Sequence, residues 1–145
     1  MSTPATVEDL HRLPAEDVKQ ILEGPARESV AVLDVRDADE LADGAIAGHT
    51  HLASSKFDDP AEIDALLDGE LKGKDKVIVH CMHSQKRGPA CALKLAERIE
   101  ARKAAGGGEG GSAPAVVVLD KGYHGFASLF GESELIVKKV AQQKE

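Results

Sequence analysis

The sequence predicts an α/β protein whose parallel sheet is covered by helices on both faces. Three observations lead there. Short aliphatic runs rich in β-branched residues recur at Ser29 to Val35, Lys76 to His80 and Ala115 to Leu119, as buried strands require. Segments with helical spacing of apolar residues lie between them. Strands that alternate with helices bury both sheet faces when the connections are crossovers. The 145 residues suit one domain with a single core, taken as residues 1–145.

Each element has its own reason. Residues 14–23 read as a helix, with Val18, Ile21 and Leu22 at helical spacing and Glu16 and Asp17 in the first turn, where the helix dipole favours acids. The strand Ser29 to Val35 follows. Asp37 to Asp43 is acidic and expected to be helical, ended by Gly44. Ile46 to Leu52 is expected to be a short strand. Asp58-Asp59-Pro60-Ala61-Glu62 is a helix start, with a capping Asp, Pro at the first position and an acid in the first turn. Ile63, Leu66, Leu67 and Leu71 continue that helix on one face. After the strand Lys76 to His80 comes a loop, then a helix from about Pro89 to Lys103. Ala104 to Pro114, built around Gly106 to Gly111, is read as a flexible loop within the domain. Ala115 to Leu119 is the last strand of the sheet. Gly122 and Gly125 are expected to punctuate a turn, and Leu135 to Ala141 to form a closing helix.

Composition narrows the function. A net charge of -7 with no Trp, one Tyr and three Phe disfavours nucleic acid and anionic membranes as partners. No apolar run is long enough to span a bilayer, and the start Met1-Ser2-Thr3-Pro4 does not resemble a secretory signal. Two cysteines make no disulfide framework. The expected setting is therefore reducing, cytoplasmic or nuclear.

The chemistry concentrates in Cys81-Met82-His83-Ser84-Gln85-Lys86-Arg87. A strand leads into this segment and Gly88-Pro89 opens a helix behind it, so it falls at a strand's carboxyl end, where ligands bind in parallel sheets. Cys81 is the candidate nucleophile. Three features favour its thiolate form: the positive end of the following helix, the nearby Lys86 and Arg87, and backbone amides turned inward by a tight loop. The planar fork of Arg87 suits two oxygens of a tetrahedral anion. Met82, His83, Ser84, Gln85, Lys86 and Gly88 are expected to line the substrate. The loop carries no carboxylate, so it offers no evident acid for a leaving alcohol.

Other titratable residues are read as structural. Cys91 shares helical spacing with Leu95 and Ile99 and is expected in the core. His80, Cys81 and His83 are too close in sequence to converge on one ion and lack a fourth ligand, so no metal is expected. His80 is expected to orient the loop through a hydrogen bond. Asp34 is expected to cap the segment that follows it, and Arg36 to pair with an acid such as Glu40. His49, His51 and His124 are read as surface or turn residues.

Three landmarks carry a resemblance. His80-Cys81, five residues, then Arg87-Gly88-Pro89 resembles the active loop of rhodanese-fold phosphatases of the cell-cycle, dual-specificity type and of the eukaryotic arsenate reductases. Val32-Leu33-Asp34-Val35-Arg36-Asp37, Glu40 and Gly44-Ala45-Ile46-Ala47-Gly48 are similar to the rhodanese strand that ends in Asp-x-Arg and to the glycine-bearing stretch after it. Val118 to Phe126 resembles the last rhodanese strand and its glycine turn. There are departures: Ala45 stands where His is usual, His49 where Ala is common, and Phe126 where Trp is usual. The loop lacks the acid, and Val35 the thiol, that the cell-cycle phosphatases tend to carry. Ser84 and Gly88-Pro89 look closer to the arsenate reductases.

The resemblance implies a rhodanese-like fold with a five-stranded, mainly parallel central sheet. It also implies a cysteine nucleophile without a bound cofactor. In that family the oxyanion enzymes have a loop one residue longer than the sulfurtransferases, and the Cys81–Arg87 spacing matches the longer kind. The resemblance thus points first to arsenate reduction with glutathione as outside reductant and glutaredoxin as partner. Protein-tyrosine or dual-specificity phosphatase activity is a neighbouring reading. A sulfurtransferase, and a non-catalytic rhodanese module that binds a partner or senses redox state, stay open as alternatives.

Overall fold

A computed structural model describes residues 10–37, 39, 41, 44–82, 86–104, 114–130 and 136–137. The chain opens on β1 (His11–Leu13), α1 (Ala15–Glu23) and β2 (Val30–Asp34). Two short strands, β3 (Ala45–Ile46) and β4 (Thr50–His51), lead to α2 (Pro60–Asp68) and β5 (Lys76–His80). Then come α3 (Arg87–Ala104), β6 (Ala115–Leu119), α4 (Gly122–Phe130) and β7 (Ile136–Val137). Five strands make a parallel sheet in the order β1-β6-β5-β2-β4, and β3 pairs antiparallel with β7.

Side chains alternate across this sheet, as the two-residue period of a strand demands. Ala31, Leu33, Val77, Val79 and Val118 face one layer with Ile63 and Leu66 of α2 and Cys91, Leu95 and Ile99 of α3. Val30, Val32, Ile78, Val117 and Leu119 face the other, with Ala15, Val18 and Leu22 of α1 and Tyr123 and Phe126 of α4. Both faces are buried under apolar side chains, which explains why the strands read as continuous aliphatic runs. The helix start at residue 59 is as expected: the Asp59 carboxylate accepts the Ala61 amide at 3.0 Å and Pro60 is the first helical residue.

Several expectations change. The helix α2 stops at Asp68, and Leu71 is buried from the turn that follows. The stretch Ile46 to Leu52 is two strands, because Gly48 turns the chain at φ 75° between β3 and β4. Gly122 and Gly125 lie in the helix α4 rather than in a turn. Burying Tyr123 and Phe126 one turn apart outweighs a glycine's helical cost of about 1 kcal/mol. In the expected closing helix, Ile136 and Val137 form a strand instead, paired antiparallel with β3. The rest of Leu135 to Ala141 lies outside the described residues, as do residues 105–113 of the glycine-rich loop and much of Asp37 to Asp43. The fifth sheet strand is β1, whose three residues give too short a pattern to locate from sequence. Among the described residues no helix is long and apolar enough to cross a membrane.

Candidate active site

The site forms where β5 ends. His80 sits beside Asp34 in the β2–β5 register, and Cys81 is the next residue. Alternation sends Cys81 toward α3 and His80 toward α4. The Cys81 side chain is 3% exposed, at the start of the segment that the sequence singled out. Its sulfur accepts a hydrogen bond from the Gly88 amide at 3.2 Å. Gly88 is the second residue of α3, so this is one of the amides that the helix leaves without an internal partner. The helix begins at Arg87, two residues before the expected start, with the Lys86 carbonyl accepting the Ala90 amide at 3.0 Å.

Other loop residues are placed as follows. Arg87 is half-buried at the head of α3, Lys86 is exposed, and Met82 is half-buried against the α1–α4 layer. Gly88 is buried with its amide aimed at sulfur. His83, Ser84 and Gln85 lie outside the described residues. Among the described residues no group of three His, Cys, Asp or Glu side chains could hold a metal ion.

Behind the loop lies a buried polar cluster that pattern reading divided differently. Arg36 does not merely face the following segment. It folds back on Asp34, with Nε 3.0 and 3.1 Å from the two carboxylate oxygens and Nη2 2.8 Å from Oδ2. Both residues are fully buried. The same Nη2 donates to the Gly44 carbonyl at 2.8 Å, and the guanidinium lies 4.1 Å from the centre of the Tyr123 ring. Asp34 does cap its own strand end, accepting the Arg36 amide at 3.0 Å. Glu40, the acid expected for Arg36, lies outside the described residues. His51 is more than a surface residue: its Nε2 donates to the Arg36 carbonyl at 2.6 Å. His49 donates from Nδ1 to the Ile46 carbonyl at 2.9 Å.

His80 joins this cluster to the loop. Its Nδ1 donates to the Cys81 carbonyl at 3.1 Å, the orienting hydrogen bond expected of it. Its ring stacks on Tyr123 with centroids 6.4 Å apart. Burial pushes the His80 ring below its ordinary range, against the pull of Asp34. Burial also works against the Asp34 carboxylate; with His80 neutral, the hydrogen bonds and charge of the Arg36 fork hold the carboxyl low. The consistent state has ionised Asp34 paired with Arg36 and neutral His80 carrying its proton on Nδ1. Its Nε2 then stands 3.8 Å from Asp34 Oδ2 with no hydrogen-bond partner among the described residues.

Cys91 occupies the core position expected of it. It is 3% exposed among Leu95, Ile99 and the β5 valines. Burial pushes its thiol up to about 12.

The role of α4 is what the sequence reading missed. The Tyr123 amide donates to the Cys81 carbonyl at 2.9 Å and the His124 amide to the Met82 carbonyl at 2.8 Å. The available signal was Gly122 and Gly125 beside two aromatic residues, at a spacing that also fits a helix docked closely on backbone.

Comparison with known proteins follows the geometry. The model of the rhodanese-like domain matches residues 14–129. A dual specificity phosphatase Cdc25 from Arabidopsis thaliana is 36% identical over 107 residues, covering 74% of this chain and 68% of that protein. Arsenate reductase 2.2 from rice (Oryza sativa subsp. japonica) is 33% identical over 97 residues, covering 67% of this chain and 68% of that protein. A solved yeast protein tyrosine phosphatase of the rhodanese family superposes with a TM-score of 0.68 at 27% identity, covering 90% of this chain and 93% of that one.

Proposed function

The chain belongs to the rhodanese-like family, and from that premise we propose that Cys81 performs thiolate chemistry on oxyanions, with arsenate reduction as the principal activity. The observation that carries this reading is the Gly88 amide aimed at Sγ from 3.2 Å at the head of α3. A helix N-terminus there favours negative charge on the sulfur and on an anion bound above it. Arg87 heads the same helix, six residues after Cys81.

The proposed sequence of steps uses these parts in turn. Cys81 attacks arsenic and expels hydroxide or water, which forms a sulfur–arsenic bond. Arg87 and the loop N–H groups hold the negative oxygens, while the Gly88 amide stays with the sulfur. A glutathione thiol then attacks the cysteine sulfur. The sulfur–arsenic pair goes to arsenic, reducing As(V) to As(III), and Cys81 is left in a mixed disulfide. A second thiol, from glutathione or a glutaredoxin, restores Cys81 and completes the two-electron balance. The burial of Cys91 and its raised thiol range support an outside reductant over an internal partner.

Phosphate-ester hydrolysis is the second reading, favoured by the likeness to the Arabidopsis dual specificity phosphatase. It ranks lower because the loop from Met82 to Lys86 carries no acid to protonate a leaving alcohol, whereas arsenate expels a small group. The loop length weighs against sulfur transfer.

The deciding experiment runs three assays side by side on wild type and Cys81→Ser: glutathione-coupled arsenate reduction, aryl-phosphate hydrolysis and thiosulfate-to-cyanide sulfur transfer. Arsenate turnover that dominates in wild type and vanishes in Cys81→Ser is the expected result. Arsenate turnover that survives the substitution overturns the mechanism. Dominant sulfur transfer overturns the choice of substrate, and silence in all three favours a binding module.

A further inference from the structure

Two helix N-termini meet the Cys81 segment and use their free amides in opposite ways. The head of α3 turns an amide to the Cys81 sulfur. The head of α4 turns two amides to carbonyls, from Tyr123 to Cys81 at 2.9 Å and from His124 to Met82 at 2.8 Å. Amides that a helix cannot satisfy internally are thus filled by the opening of the active loop. In a planar trans peptide the N–H points opposite to the C=O. Holding the Cys81 carbonyl against α4 therefore turns the Met82 N–H away from α4.

The approach of α4 depends on an unusual connection. Lys121 has φ 66° and Gly122 has φ 64°, so two successive residues adopt the left-handed conformation. Lysine rarely does so. A Cβ on Gly122 would stand 2.6 Å from the Met82 carbonyl oxygen and 2.7 Å from that of Cys81. A Cβ on Gly125 would stand 2.6 Å from the Cβ of Lys121. Both glycines are thus seated with no room for one more carbon, one against the loop and one against the residue that sets the turn.

We propose that the Lys121–Gly122 turn is the positioning element of the active loop. It fixes how closely α4 approaches the Cys81 and Met82 carbonyls, and so the tilt of the peptide planes that begin the anion cradle. Neither residue touches the reacting atoms; both act through the backbone of Cys81 and Met82. The inference rests on Cys81 as the attacking sulfur and adds what holds that sulfur's peptide in register.

The test compares wild type, Gly122→Ala, Gly125→Ala and the double variant Gly125→Ala/Lys121→Gly. Each is read by inorganic phosphate affinity, by kcat and KM for arsenate, and by the rate of iodoacetamide alkylation mapped to Cys81. Leu66→Ala, a core position in α2 rather than in the loop or α4, controls for simple loss of stability. A shift of the cradle by an ångström lowers kcat by about 100-fold, so Gly122→Ala is expected to lose turnover and phosphate affinity while the control keeps both. Gly125→Ala is expected to show a smaller loss in the same sense. Removing the Lys121 Cβ it collides with should restore the double variant to within about twofold of wild type, the usual error of additivity. A folded Gly122→Ala that matches the control overturns the proposal. Should Gly122→Ala fail to fold, the Gly125 pair decides: rescue by Lys121→Gly upholds the proposal, and no loss or no rescue overturns it. A wild type inert toward phosphate and arsenate defeats the oxyanion reading alone. The Cys81 alkylation rates then still judge the turn, which fails if Gly122→Ala and Gly125→Ala alkylate as wild type does.

Discussion

Cys81 and Cys91 lie ten positions apart, the first directly after β5 and the second in the second turn of α3, and each is 3% exposed. Burial alone would make them equivalent. Their surroundings differ. Cys91 sits in an aliphatic layer, where burial pushes its thiol up to about 12. Cys81 sits where the sheet stops and polar groups begin. An amide faces its sulfur, two donors hold its carbonyl, and the Asp34–Arg36 pair lies behind the neighbouring His80. The position of a buried thiol relative to the end of a sheet decides what donors it meets, and the donors decide its chemistry.

The largest test of this contrast exchanges each sulfur. Cys81→Ser is expected to lower arsenate turnover by at least about 10⁴-fold, as loss of a nucleophile does. Cys91→Ala is expected to leave turnover unchanged; steady-state rates of both variants check this. Equal losses in the two would erase the distinction.

The next test removes the polar backing of the edge. Arg36→Met leaves Asp34 charged, buried and unpaired, at an expected cost of about 3–5 kcal/mol in denaturant unfolding. Asp34→Asn/Arg36→Met should recover part of that loss. A third test makes the core layer polar: Cys91→Ser puts a hydroxyl among Leu95, Ile99 and Val79. It should cost about 1–3 kcal/mol with kcat for arsenate intact.

The smallest effect is on pH. His80 takes a proton in the folded protein only below its ordinary 6.5. Between those two values the unfolded chain binds more protons, so stability falls as pH drops below 6.5 toward the folded value. Asp34, held below 3.8, adds a contribution present above that pH and lost as pH falls through its folded value. Thermal melts of His80→Gln from neutral to acid pH should lose the upper arm of this decline and keep the lower. A wild-type stability flat through the upper arm would mean that His80 takes up its proton alike in the folded and the unfolded chain.

What the chain determined locally is what short-range physics can read. The strands Val30–Asp34, Lys76–His80 and Ala115–Leu119 announce themselves because burial on both faces demands unbroken aliphatic runs. The Asp59–Pro60 helix start depends only on neighbouring residues. The proposed nucleophile and the cation six positions on are legible because a strand–loop–helix unit positions both. Tertiary structure decided the rest, since it concerns partners far apart in sequence. Arg36 turned back to Asp34 beneath the Tyr123 ring, 87 positions away. Gly122 and Gly125 became parts of a docked helix because the carbonyls of Cys81 and Met82 wait for its amides. A three-residue β1 forms only because β6 is there to accept it. Local pattern records the cost of each conformation; which conformation prevails depends on contacts that exist only once the sheet has closed.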